Sequence, residues 1–136
     1  MGMSVRVATP EGYRPKPEIV ELAKQDARAA GTAIEVVTRP EEAVRGAHVV
    51  YTDVFASMGQ EAEAQVRLKA FAGYQVTPEL METADKDAVF MHCLPCHRGD
   101  EVLADVADGR WSVIFDEAEN RLHVQKAIML MLMMQH

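Results

Sequence analysis

Three apolar runs in this sequence each end in side chains that can do chemistry. Residues 89–91 lead into His92, Cys93, Leu94 and Pro95; residues 48–52 open onto Asp53; residues 112–115 open onto Asp116, Glu117, Glu119, Asn120 and Arg121. A continuous apolar run suits a strand covered on both faces, and Pro95 cannot continue a ladder, so His92 and Cys93 fall at the carboxyl end of a buried strand. Open parallel α/β sheets bind ligands in the crevice at those ends, which makes the three clusters one candidate site. A second chemistry is written into the same stretch. Cys93-Leu94-Pro95-Cys96-His97 satisfies C-x-x-C-H, the pattern of haem attachment, and C-x-x-C alone suits a redox dithiol or half of a zinc site. Haem attachment requires export, for which residues 1–10 offer no signal, and a redox dithiol belongs early in its fold and opens a helix. Zinc held by His92, Cys93, Cys96 and His97 would crowd its ligands into one short stretch, tighter than the usual paired spacings. These readings rank second, and the expectation is no metal and no cofactor.

Among the elements that must position these groups, residues 4–9 alternate with β-branched side chains and form a strand that Pro10, Gly12, Pro15 and Pro17 interrupt. Pro17 suits the first position of a helix, Ile19, Leu22, Ala23, Ala27 and Ala30 recur at helical spacing, and Gly31 is a natural stop, which predicts a helix over about 17–30. Residues 34–37 form a second strand, Thr38 and Glu41 have capping-box spacing for a short helix through about 45, and 48–52 form the third strand. A helix over about 60–70, a shorter one from Thr77-Pro78, a fourth strand at 88–92, a helical turn at 100–106, a fifth strand at 111–115 and a closing helix over 119–134 complete the pattern. Five strands alternating with helices imply a doubly wound parallel α/β sheet with right-handed crossovers.

Composition sets further bounds. With 136 residues, 49% of them hydrophobic, one domain is the default, and a net charge of −7 without a Lys/Arg cluster argues against nucleic acid. No apolar run approaches the roughly 20 residues needed to span a bilayer, so no membrane partner is expected, and the chain reads as cytoplasmic with both cysteines as thiols.

Residues 51–61 (Tyr-Thr-Asp-Val-Phe-Ala-Ser-Met-Gly-Gln-Glu), then 92–95 (His-Cys-Leu-Pro), then 115–123 (Phe-Asp-Glu-Ala-Glu-Asn-Arg-Leu-His) resemble, in order and spacing, the three signatures of the ornithine-binding domain of ornithine carbamoyltransferases. The similarity runs from about residue 5 to 132. It implies a Rossmann-like domain whose first, central strand lies outside this chain, so that the remaining five either close to the flavodoxin-like order 2-1-3-4-5 or leave a gap for a partner chain. It implies that Asp53 holds the side-chain amine of ornithine and that Cys93 orients it, with an alkyl amine protonated near its ordinary pKa of about 10.4. Ser57 and Met58 would hold the amino-acid end, with Gly59 permitting close approach. Arg121 would face carbamoyl phosphate, and His92, Cys93 and Leu94 would complete the pocket. Cys96 stands where alanine or another residue is usual in this family, and Phe55 where tryptophan is common.

The same resemblance implies that the carbamoyl-phosphate domain, with its Ser-Thr-Arg-Thr loop, is absent and that catalysis by this chain alone fails. Each assignment has a plainer competitor from residue type alone. Ser57 with Gln60 is a capping box, Asp53 a turn former, Cys93 a small buried hydrophobe, and Arg121 a surface partner of Glu117. A stand-alone small-molecule, metal or redox module built on Cys93 and Cys96 stays as the alternative function. Residues 127–134 are apolar on every side of their helix, which predicts a homo-oligomer.

Overall fold

The computed structural model describes residues 2–56 and 61–134, with the side chains of 61 and 62 left aside. Its order is β1 (Val5–Ala8), α1 (Pro17–Ala29), β2 (Ile34–Val37), α2 (Pro40–Val44), β3 (Val49–Thr52), α3 (Glu61–Ala70), α4 (Pro78–Met81), β4 (Val89–His92), α5 (Ala104–Ala107) and α6 (Ile114–Met133). The fold is α/β with parallel pairing throughout. β1 pairs with β2 from Val5↔Ile34 to Ala8↔Val37, and β3 pairs with β4 from Val49↔Val89 to Thr52↔His92. These are two separate two-stranded sheets, and β1 is not bonded to β3 among the described residues.

Local chemistry explains most boundaries. Pro17 begins α1, and Gly31, at φ +69, lets the chain turn back so that the Thr32 N–H reaches the Ala27 carbonyl at 2.8 Å. Thr77 caps α4, its hydroxyl accepting from the Leu80 N–H at 3.3 Å. The capping box expected at Thr38 and Glu41 does not form. Arg39 is the N-cap of α2 without a side-chain bond, because Pro40 at the first helical position sets the start one residue later.

The expected fifth strand is the main difference. Residues 111–113 make a single parallel bridge beside β4, with the Phe90 N–H bonded to the Trp111 carbonyl (2.7 Å) and the Val113 N–H to the Phe90 carbonyl (3.0 Å). Helix α6 then starts at Ile114, well before the expected 119. Val113, Ile114 and Phe115 look like strand by composition, but Asp116 and Glu117 sit in the first turn, where the positive end of the helix dipole favours them. The turn expected at 100–106 also moves: Glu101 and Val102 are buried ahead of α5, and Val102 bridges Val76.

The core lies against one face of the β3/β4 sheet. Phe90, Val102, Val106 and Ile114 are fully enclosed, with Val50, Val76, Leu80, Met81 and Ala107 around them. Pleating puts Val50, Phe90 and His92 on that face and Val49, Tyr51 and Met91 on the other. Helix α6 packs on β4, yet Val49 and Tyr51 stay about half exposed, and every residue of α6 from Arg121 to Met133 is exposed. No described helix is long and apolar enough to cross a membrane.

Candidate functional site

The β3–β4 register builds the site. Because Thr52 lies opposite His92, the next residues of each strand, Asp53 and Cys93, leave the sheet side by side. Asp53 is turned by its own side chain, Oδ1 accepting from the Val54 N–H at 2.7 Å. The Cys93 thiol sits among the Tyr51 hydroxyl and the Asp53 carboxylate. Desolvation pushes it above the ordinary thiol range, and the bond and charge of Asp53 add to that while Tyr51 opposes it. Tyr51 is pushed up to about 12, by desolvation first and then by the bond to Cys93 and the nearby acids. The thiol is therefore held neutral in neutral solution, which suits hydrogen bonding to a polar ligand better than nucleophilic attack.

His92 organises the loop beyond β4. Its ring is fully buried, Nδ1 accepts from the Leu94 N–H at 2.9 Å, and Nε2 lies 3.1 Å from Glu101 Oε1. A nitrogen that accepts an amide proton has no proton of its own, so Nε2 carries the hydrogen and donates it to Glu101. Glu101, 1% exposed, also accepts from the His97 N–H at 2.6 Å. The loop is thus pinned at both ends to one buried carboxylate. Leu94 takes a left-handed conformation (φ +57), uncommon outside glycine, and the bond from its N–H to His92 holds it there. The Leu94–Pro95 peptide is cis.

Helix α6 closes the third side. Glu117 Oε2 accepts from the His92 N–H at 2.9 Å, and Arg121 Nη1 donates to the Cys93 carbonyl at 3.0 Å. Arg121 is therefore not spent on Glu117. Cys93, Leu94, Pro95, Ala118, Arg121, Leu122 and Gln125 line an open recess of ≈ 500 Å³ beside this contact. The structure brings Asp53, His92, Cys93, Leu94 and Arg121 together; Ser57, Met58 and Gly59 lie outside the described residues. Sequence reasoning missed Glu101 altogether and gave Glu117 and Tyr51 no role. An acid directly before Val102-Leu103 was the one available signal for Glu101.

Cys93 and Cys96 do not share an environment. Cys96 lies with His92 and Glu101, their donor atoms within 4.8 Å of one another, and burial and the Glu101 charge raise its thiol pKa. The set has metal-binding residue types. Both nitrogens of His92 are nevertheless committed, one to Leu94 and one to Glu101, so an ion would have to break the pair that shapes the loop.

Parallel strands with a ligand-sized recess and convergent charged groups at their carboxyl ends define an α/β substrate-binding domain. The comparison with known families is specific: the chain belongs to the aspartate/ornithine carbamoyltransferases, matching their Asp/Orn-binding domain over residues 1–132. It is 64% identical over 132 residues to the ornithine carbamoyltransferase of Symbiobacterium thermophilum, covering 97% of this chain and 43% of that protein. Among solved structures, the ornithine carbamoyltransferase of Pyrococcus furiosus superposes with a TM-score of 0.86 at 52% identity, over 93% of this chain and 40% of that one. The anabolic enzyme of Campylobacter jejuni gives 0.92 at 38% identity, over 99% and 45%. The chain thus spans less than half the length of these relatives.

Proposed function

We propose that this chain is the ornithine-binding half of an ornithine carbamoyltransferase, which joins carbamoyl phosphate and ornithine to give citrulline and phosphate, and that it is inactive alone. The observation that carries the reading is the convergence of Asp53, Cys93 and Arg121 on one loop, in a chain that matches the Asp/Orn-binding domain of its family over residues 1–132. Asp53 supplies the anion for the δ-ammonium of ornithine, and Cys93, held neutral, hydrogen-bonds the same nitrogen. Ser57, Met58 and Gly59 take the amino-acid end. Arg121, tied to the Cys93 carbonyl, turns toward carbamoyl phosphate and offsets the charge that grows on its oxygens. His92 and Glu101 do not touch substrate in this scheme; they hold Cys93 and Leu94 in place.

Phosphate binding and most of the stabilisation of the departing group belong to a further domain, so turnover requires that partner. Loss of one charge-stabilising donor costs about a hundredfold or more, and loss of several removes detectable activity. The metal or redox reading on Cys93 and Cys96 is weaker, since the two thiols face different neighbours and His92 has no free nitrogen. A cytoplasmic setting fits reduced thiols, and in isolation the bare apolar length of α6 favours a homo-oligomer. Titration calorimetry with ornithine, carbamoyl phosphate and a bisubstrate analogue tests the proposal. Weak binding of ornithine or the analogue with no citrulline formed is expected; activity in a sample from a host lacking its own enzyme would overturn it.

A further inference from the structure

We infer that Phe71 is a positioning residue for Asp53: its ring clamps the segment leaving β3 to the β1/β2 half of the molecule and so holds the Asp53 carboxylate beside Cys93. The clamp is built from aromatic side chains just past the strand ends. Phe71 stacks on Phe55, beyond β3, with ring centroids 4.8 Å apart and planes 21° from parallel. It meets Tyr13, beyond β1, edge-on at 5.1 Å, and Tyr74 edge-on at 5.6 Å. Tyr74 in turn donates its hydroxyl to the Thr38 carbonyl beyond β2. Stacked and edge-on pairs at these separations are the arrangements that ring quadrupoles favour, so one ring links all three segments.

The partners of the ring are themselves anchored. Phe71 extends α3, its N–H bonded to the Arg67 carbonyl at 2.8 Å, and the Tyr74 N–H returns to the Phe71 carbonyl at 2.9 Å, a turn that Gly73 at φ +92 permits. The Thr9 hydroxyl donates to the Tyr13 carbonyl at 3.0 Å, and the Arg67 guanidinium lies over the Tyr13 ring at 5.4 Å. The two half-sheets share no backbone ladder among the described residues, so side chains such as these set their separation at this end. Asp53 depends on that separation. Its Oδ1 accepts from the Val54 N–H at 2.7 Å, which makes the carboxylate follow the backbone, and the Phe55 ring ties that backbone to Phe71. A displacement of about 1 Å at a reacting centre costs on the order of a hundredfold in rate, so losing this anchor is enough to matter. Simple packing is the plainer role for Phe71. It predicts lower stability with no change in how Asp53 acts on Cys93.

The inference rests on the proposed function for the use made of Asp53, whereas its test reads only the coupling of Asp53 to Cys93. In the Cys96→Ala chain Cys93 is the one thiol left, and its alkylation by iodoacetamide is followed against pH. Asp53 and Tyr51 face that thiol from the β3 side, and from α6 Glu117 and Arg121 bond the His92 N–H and the Cys93 carbonyl; of these groups Asp53 lies on the segment that Phe55 anchors. Phe71→Ala should lower the midpoint of the profile and speed alkylation at neutral pH roughly twofold or more, because an anion that raises the thiol has been withdrawn. Phe71→Tyr, which keeps the ring, should restore the parent profile. In the Asp53→Asn background, Phe71→Ala should leave the midpoint where it stands. Phe55→Leu removes the other half of the stack; it should shift the midpoint in the same direction and replaces Phe71→Ala if that variant fails to fold by circular dichroism. An unmoved midpoint in a folded variant, or a shift that persists without the Asp53 charge, would overturn the inference. Alkylation needs no ornithine, so failure of the functional proposal in calorimetry leaves this result standing, and failure here leaves the function to the calorimetry.

Discussion

Replacing Glu101 should cost more than any exposed acid in the chain, although no ligand touches it. Its Oε1 accepts from His92 Nε2 (3.1 Å) and from the His97 N–H (2.6 Å) in a fully enclosed setting. Hydrogen bonds to a charged group contribute about 1.5–3 kcal/mol each, so Glu101→Ala, which strands both donors, should lose about 3–6 kcal/mol. That is a large share of the roughly 5–15 kcal/mol that holds a domain together. Glu101→Gln keeps an acceptor oxygen in the same place and loses only the charge assistance, about 1–2 kcal/mol. Urea unfolding of both variants measures the stability difference, and exchange of the Leu94 amide reports the loop, since that N–H is held by the ring Glu101 orients. The Leu94 amide should lose protection in Glu101→Ala and retain most of it in Glu101→Gln. Equal losses in the two variants, or a loss below about 1 kcal/mol for Glu101→Ala, would refute the argument that this carboxylate shapes the site.

Cys93 and Cys96 both titrate above the ordinary thiol value of 9.0 in the folded chain, so their neutral forms add stability that is whole below that pH and is lost as pH climbs through the folded values. Urea midpoints should contain a falling component above pH 9.0, weakened by Cys96→Ala. Alkylation of Cys93 by iodoacetamide should be slow at neutral pH, and Asp53→Asn should accelerate it by removing an anion that raises the thiol; unchanged rates would count against the contact. Zinc added to the reduced chain should not be retained through gel filtration, because His92 cannot ligate without giving up Leu94 or Glu101. Sedimentation should show self-association through Ile128, Leu130 and Met133, half or more exposed on α6, and Leu130→Glu should weaken it roughly thirtyfold or more by placing an unpaired carboxylate in the interface. A monomer at every concentration, indifferent to that change, would exclude α6 as the contact.

The strands and helices up to β4 were legible because their signals are local: Pro17 and Gly31 bracket α1, Thr77-Pro78 opens α4, and unbroken apolar runs mark β3 and β4. So was the placement of Asp53 and Cys93, since the end of a strand is a matter of where the run stops. Residues 111–115 were misread because Val113, Ile114 and Phe115 suit either element, and the choice fell to tertiary contacts: one bridge to Phe90 and burial of Ile114 at the start of α6. Glu101 was invisible for a related reason. A carboxylate is normally solvated, and only the fold reveals that two donors 9 and 4 residues away meet it in the interior. The sequence by itself determined the parallel α/β plan, the family and the placement of Asp53 and Cys93 just past two strand ends, all of which follow from residue type and order. Only the tertiary structure decided that β1 and β3 stand apart with facing unpaired edges, because strand pairing depends on which neighbours are within reach, and no single segment encodes that.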